Sequence, residues 1–454
     1  MSGTIVGILG FLCIVAIVLT LFKSKTLPSI AFIVFPAILA IVLVFGGYYS
    51  LEDVASLIKS GFSSTAPTAA LFVFSVLYFG IMTDAGMFDV IIGKLMKLVG
   101  GNVIGVSVMT CIIALIGHLD GGGASTVCIG IPAILPVYKK MHMRSTSLLQ
   151  VAVLAMGVLN LMPWAGPTMR AASVLGVEAG ELWGTLIPIQ IFGVALALVH
   201  AVIVGVIEKK RGAGLNGKLA QLEGEVVLGE NEAIAQSELA RPKLFVFNII
   251  LTVAVIALLI YDLFPSYVPF MLGVAIAILI NYPGAKMQKR IINAHAGPAL
   301  MMCSTLMGAA VLMGILVKSI TVDGSDIPSV VTCMADLIKM VLPAALGQHL
   351  PLVIGVLSVP LALAFDTDSY FYGMLPVMIG IGEGFGVGAL PIAVAMVVCR
   401  NCATFISPMV PATLLGVGLA DVDIKDHIKN SFLWVWGFSI LCMIFAVIVG
   451  ILPL

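Results

Sequence analysis

Long apolar runs separated by short polar stretches set the pattern of this chain. Runs near the ~20 residues that cross a bilayer lie at 4–22, 28–47, 66–84, 147–163, 183–207, 243–262, 266–282, 297–318, 391–420 and 428–452. Each predicts a transmembrane helix. Two longer apolar regions, 101–137 and 348–387, are broken at their centres by polar, partly glycine-rich sequence. Irregular backbone at membrane depth is tolerated only against protein or a water-filled cavity, so each of these predicts a hairpin that enters and leaves on one side. An amphipathic stretch precedes each hairpin. Phe88, Ile91, Ile92, Leu95 and Val99 share one helical face before the first, with Asp89 and Lys97 opposite. Before the second, Ile327, Val330, Val331, Met334, Leu337 and Val341 do the same, with Asp336 and Lys339 opposite. Both predict helical arms lying in the interface.

The expected fold is an all-α polytopic membrane protein. Residues 1–207 form a first membrane repeat, 208–242 a linker and 243–454 a second repeat. Each repeat has five crossings, one hairpin and one broken helix. Five is odd, so the repeats are expected to be inverted. Sequence echoes support a duplication: Leu135-Pro136-Val137 recurs as Leu375-Pro376-Val377, and Asn160, seven residues before Pro167, recurs as Asn401, seven before Pro408.

Charge adds sidedness. With this threading, 18 of the 23 Lys and Arg residues fall on one face and four on the other, with Arg400 left near mid-membrane. By the positive-inside rule the basic face is cytoplasmic. That puts the linker and the mouth of the first hairpin inside, and both termini outside. Lys23 and Lys25 follow the first apolar run rather than precede it, the reverse of a cleaved signal peptide, so a retained helix is expected. Composition agrees, with 61% hydrophobic and 10% charged residues and a mean hydropathy of +1.17; a soluble domain carries about 25% charged residues. A net charge of zero gives no reason to expect a nucleic-acid partner. The spacing of Cys399 and Cys402 suits a redox or zinc pair, but no second pair exists and both sit in an apolar run, so small apolar filler is the expected role.

Four interruptions carry the candidate chemistry. The first hairpin tip, 117–126, offers His118 and Asp120 beside three glycines, then Ser125 and Thr126. The second, 365–370, offers Asp366, Asp368, Ser369 and Tyr370. The breaks at Pro163–Thr168 and Ser407–Pro411 unwind helices by removing backbone donors. Such breaks present half-helix N-termini to anions and free carbonyls to cations. Ionisable residues inside a membrane mark transport pathways. The expected metal or proton ligands are therefore His118, Asp120, Asp366 and Asp368. The expected substrate contacts are Ser125, Thr126, Asn160, Gly166, Thr168, Arg170, Ser369, Tyr370, Arg400, Asn401 and Ser407. No HExxH or GxSxG motif is present, and no enzymatic activity is expected.

At these residues the chain resembles a known family. Gly117-His118-Leu119-Asp120-Gly121, Pro132 and Pro136, the run Asn160–Thr168, Arg170-Ala171-Ala172, the run Asp368–Pro376 and the run Ser407–Thr413 are similar to the citrate–metal–proton symporters, the CitMHS family. The resemblance implies a secondary transporter in a cell inner membrane. It would import citrate chelated to a Mg²⁺- or Ca²⁺-type divalent metal, coupled to protons, with no permanently bound cofactor. A homodimer working by an elevator motion within the lipid bilayer is also implied. The alternative is a proton- or cation-coupled symporter of another di- or tricarboxylate without metal. One position departs from the family's tip: Gly122 stands where an acidic residue is expected.

Overall fold

A computed structural model describes residues 1–22, 26–96, 101–215, 238–261, 263–322 and 325–453. Most of the linker (216–237) and Lys97 and Val99 of the first arm lie outside the described residues. The first half runs α1 (Gly3–Phe22), α2 (Pro28–Phe45), α3 (Leu51–Asp84), the arm α4 (Met87–Met96), the hairpin α5 (Val103–Gly117) and α6 (Gly123–Lys140), then α7 (Ser145–Leu159), α8 (Gly166–Leu175) and α9 (Ala179–Arg211). The second half runs α10 (Phe245–Ile260), α11 (Tyr267–Asn281), α12 (Ala285–Val317), a strand pair β1 (Ile320–Val322) and β2 (Ser325–Ile327), and the arm α13 (Val330–Lys339). It continues with α14 (Ala344–Gln348), the hairpin α15 (Leu350–Ala362) and α16 (Leu375–Gly384), then α17 (Ala389–Cys402), α18 (Pro411–Leu419) and α19 (Ile424–Ile448). Among the described residues, eight helices are long and apolar enough to cross a membrane. The helices α7 and α17, of 15 and 14 residues, rise only about 21–23 Å and end at the breaks. The antiparallel pair β1–β2 is an unforeseen departure from an all-helical chain, and it takes Ile327 off the second arm.

Hydropathy places two spans too late. The helix expected over 66–84 begins at Leu51, because Ser50 and Asp53 form a reciprocal capping box: the Ser50 N–H reaches Asp53 Oδ2 at 2.7 Å and the Asp53 N–H reaches Ser50 Oγ at 3.1 Å. Its counterpart begins at Ala285 rather than 297. Polar first turns hide both starts, the first of them set by the Ser50 cap and the second opening on the polar run Lys286–Arg290. The linker also begins later than expected. Glu208 lies inside α9 with its side chain fully buried, held by Arg144 Nε at 2.6 Å, Ser147 Oγ at 2.7 Å and Arg211 Nη2 at 3.0 Å.

Packing between the halves is reciprocal. Helix α3 packs along α12, while α2 lies on α12 and α11 lies on α3; likewise α1 lies on the second arm, α13, and α10 on the first, α4. Small residues permit the close crossing: a Cβ at Gly61 would fall on the Ala310 carbonyl, and one at Gly314 on the Leu57 carbonyl. The first arm of each hairpin packs inside its own half, α5 against α7 and α9, and α15 against α17 and α19, while α6 also lies on α18 of the other half.

Candidate functional site

The first tip turns through a short 3₁₀ segment, His118–Asp120, into Gly121 at φ +68°, a left-handed conformation that favours glycine. Asp120 folds back on its own hairpin. One carboxylate oxygen accepts the Gly122 N–H at 2.7 Å and the other accepts the Ser125 hydroxyl. Gly122 has a steric reason to be glycine here, since a Cβ would stand 2.6 Å from Ser125 Oγ and 3.0 Å from Asp120 Oδ2. His118 is fully buried, with Nδ1 2.8 Å from Thr126 Oγ1 and Nε2 3.0 Å from Asn160 Oδ1. The ring thus ties the tip to the end of α7.

The first break spans Asn160 to Ala165, and Pro167 sits in the first turn of α8, where its missing N–H leaves no helix bond unmade. The Asn160 carbonyl, released from helical bonding, accepts Thr168 Oγ1 at 2.8 Å and Asn401 Nδ2 at 3.1 Å. Trp164 donates its indole N–H to the Leu119 carbonyl at 2.7 Å, fastening the break to the tip. Arg170 on α8 is buried. Its guanidinium lies against Gly166, where a Cβ would be 2.5 Å from Nη1, and Nε reaches Asp368 Oδ1 at 2.5 Å.

The second tip passes from α15 through Phe365–Asp368 into a π-helical turn, Ser369–Met374. Such turns recur at functional sites because they displace backbone groups from regular bonding. Asp366 accepts the Ser369 N–H at 2.9 Å, and Tyr370 shares a 2.6 Å hydroxyl contact with Ser358. Arg400, wholly buried on α17, faces this turn. It donates to the Phe365 carbonyl and to Thr404 Oγ1, both at 3.3 Å, and its guanidinium stands 5.7 Å from the Tyr370 ring centre. The second break follows α17. Ser407 is buried and accepts the Met409 N–H at 3.3 Å, so its oxygen serves the local turn.

These four elements meet crosswise. Phe405, at the second break, presents its ring edge-on to His118 at 5.2 Å and closes over Gly123, so it touches the first tip. Arg170, from the first break, pairs with the second tip. The expected contacts therefore divide into two groups: His118, Asp120, Ser125, Thr126, Asn160, Thr168 and Asn401 in one, and Gly166, Arg170, Asp366, Asp368, Ser369, Tyr370 and Arg400 in the other. Ser407 joins neither by a hydrogen bond. The four expected metal or proton ligands split evenly, two to each group. Among the described residues no three His, Cys, Asp or Glu side chains cluster to hold a metal ion. Thr404, Phe405 and Ser358 are additions that the sequence does not single out; only the spacing of Thr404, one helical turn beyond Arg400, carries any signal. Cys399 and Cys402 are buried free thiols. His200 packs edge-on against Trp434 and beside Gln150.

The comparisons agree with this architecture. The family model described as "Citrate transporter" (CitMHS) matches residues 14–399. Two Bacillus subtilis (strain 168) proteins are similar over 98% of this chain. One, a citrate transporter, is 34% identical over 446 residues and covered over 99% of its length. The other, a Mg²⁺/citrate complex secondary transporter, is 32% identical over 444 residues and covered over 98%. The crystal structure of the Alcanivorax borkumensis YdaH transporter, whose topology is described as unusual, superposes with a TM-score of 0.58 at 13% identity. That match covers 88% of this chain and 89% of that one, and it speaks for the fold alone. With its crossed tips and breaks and a family match over most of its length, the chain is a membrane transporter rather than an enzyme, and it belongs to the CitMHS family of citrate transporters.

Proposed function

We propose that the protein imports citrate as its complex with a divalent metal, coupled to protons, by elevator-like alternating access. The observation that carries this reading is the Arg170–Asp368 pair joining the first break to the second tip. A cargo carboxylate that takes Arg170 leaves Asp368 as an uncompensated, part-buried anion, which is unfavourable. A cargo bearing both a carboxylate and a hard cation satisfies both partners at once, because Mg²⁺ and Ca²⁺ favour carboxylate oxygen. Charge balance agrees. Two guanidinium groups, Arg170 and Arg400, stand near two carboxylates, Asp366 and Asp368, so their charge is already balanced and a bare trianion would enter without compensation. Chelation leaves about one negative charge to desolvate.

Asp120 suits the proton. It is held by a hydroxyl and a backbone N–H, with no cation beside it among the described residues, so it can be protonated without breaking an ion pair. The reciprocal packing of α2, α3, α11 and α12 supports two inverted repeats around a shared scaffold. We place the linker in the cytoplasm and both termini outside, and take the working unit to be a homodimer.

Uptake of labelled citrate into proteoliposomes tests the reading. Uptake should require Mg²⁺ or Ca²⁺, stop on addition of a chelator and accumulate solute only under an imposed proton gradient. Undiminished uptake in chelator would overturn the metal complex in favour of a bare di- or tricarboxylate. A sealed-vesicle cysteine-accessibility assay checks the sidedness.

A further inference from the structure

Two buried polar atoms at the junction of the breaks have no protein partner: Asn160 Nδ2, a donor, and Asn401 Oδ1, an acceptor. Both side chains are almost completely buried, at 2% and 0% exposure. An unsatisfied buried polar group is destabilising by roughly 1–3 kcal/mol, and such groups are rare in native interiors without a ligand or water to take them. The orientation of Asn401 is fixed. Its Nδ2 donates to the Asn160 carbonyl at 3.1 Å, and turning the amide over would set two oxygens against each other, so it is Oδ1 that is left without a partner.

That acceptor is the informative atom. A site for a polyanion needs donors, and ionised carboxylates have only acceptors to offer. Citrate carries one other polar group, its tertiary hydroxyl. Its O–H remains available to donate even when the oxygen ligates a metal.

We propose that Asn401 Oδ1 accepts the hydroxyl hydrogen of the cargo while Asn160 Nδ2 donates to a neighbouring carboxylate, making Asn401 the residue that selects a hydroxy-tricarboxylate over its deoxy analogue. This rests on the citrate reading above and names the group of citrate that is recognised. Sites that hydrogen-bond a substrate hydroxyl reject analogues lacking it, because the buried partner is then left unpaired.

The test compares binding of citrate and propane-1,2,3-tricarboxylate to the purified full-length protein by calorimetry, both at saturating Mg²⁺. The two ligands differ in chelation as well as in the hydroxyl, so the quantity read is the preference ratio in wild type against the ratio in Asn401→Leu. Any difference in chelation cancels. The ratio should fall by about tenfold or more in Asn401→Leu. Should Asn401→Leu fail to fold, Asn401→Ser, too short to reach, is read in the same way. An unchanged ratio, or a wild type that binds both ligands alike, overturns the proposal and leaves the citrate reading standing. A wild type that binds no citrate at all overturns the reading beneath it.

Discussion

At the first tip Asp120 is satisfied within its own hairpin, by the Gly122 N–H and the Ser125 hydroxyl. At the second, Asp368 is satisfied by Arg170, 198 residues away in the other half. One carboxylate is neutralised locally by dipoles and the other across the molecule by a full charge. Local dipoles travel with the hairpin whatever the rest of the protein does. An ion pair between a tip and a distant break holds only while those elements stay together, so the second tip is the one whose state can report on cargo.

The largest effect that would sharpen this comparison comes from the ion pair. Arg170→Ala leaves a part-buried carboxylate without its partner, which should destabilise the protein by about 3 kcal/mol, the low end for a buried pair, and abolish citrate uptake. The double variant Arg170→Ala/Asp368→Ala should regain most of the thermal stability in detergent and none of the uptake. Uptake restored in the double variant would mean the pair is structural only, and the comparison would break.

At the first tip, Asp120→Asn keeps the shape and most of the hydrogen bonds. Its thermal midpoint should barely move. Proton-driven uptake should fall by roughly tenfold, equivalent to about 1.4 kcal/mol, and lose its response to the imposed gradient. A variant with the full response would remove Asp120 from proton coupling.

Next in size is a pair of glycine substitutions. Gly122→Ala puts a Cβ against Ser125 Oγ and should be destabilising by about 1–3 kcal/mol; Gly122→Asp, the acidic residue expected from the family pattern, should be worse. Gly373→Ala, in the π-helical turn of the second tip, meets nothing within 4 Å and should stay within about 0.5 kcal/mol of wild type. Denaturation in detergent measures both. Equal losses would show that the two tips are packed alike after all.

The smallest effect is expected at Trp164→Phe. It removes one indole hydrogen bond to Leu119 and should lower stability by about 1 kcal/mol, with slower uptake because the tip is less firmly tied to the break.

Much of this molecule is legible along the chain. Apolar run lengths predict the spans, prolines the breaks, and glycines beside intramembrane carboxylates the tips. These are local properties: hydropathy, a missing N–H and a permitted φ belong to single residues and their neighbours. The start of α3 escapes hydropathy because its cap hides in a polar stretch. Glu208 passes for linker because a buried glutamate looks like a solvated one until Arg144, Ser147 and Arg211 are placed around it.

By itself, then, the sequence determined which segments form long apolar helices, where they are interrupted and which side chains stand at the interruptions. Tertiary structure alone decided how those side chains pair. Arg170 meets Asp368, Asn401 meets Asn160 across 241 residues, and His118 faces Phe405. Partnerships across such distances leave no periodicity in a chain, since they depend on how two halves pack and not on the propensity of either. Gly122 shows both sides of this. Along the chain it is only a departure from a family pattern, and in the fold it is the residue whose missing side chain lets Asp120 turn back onto Ser125.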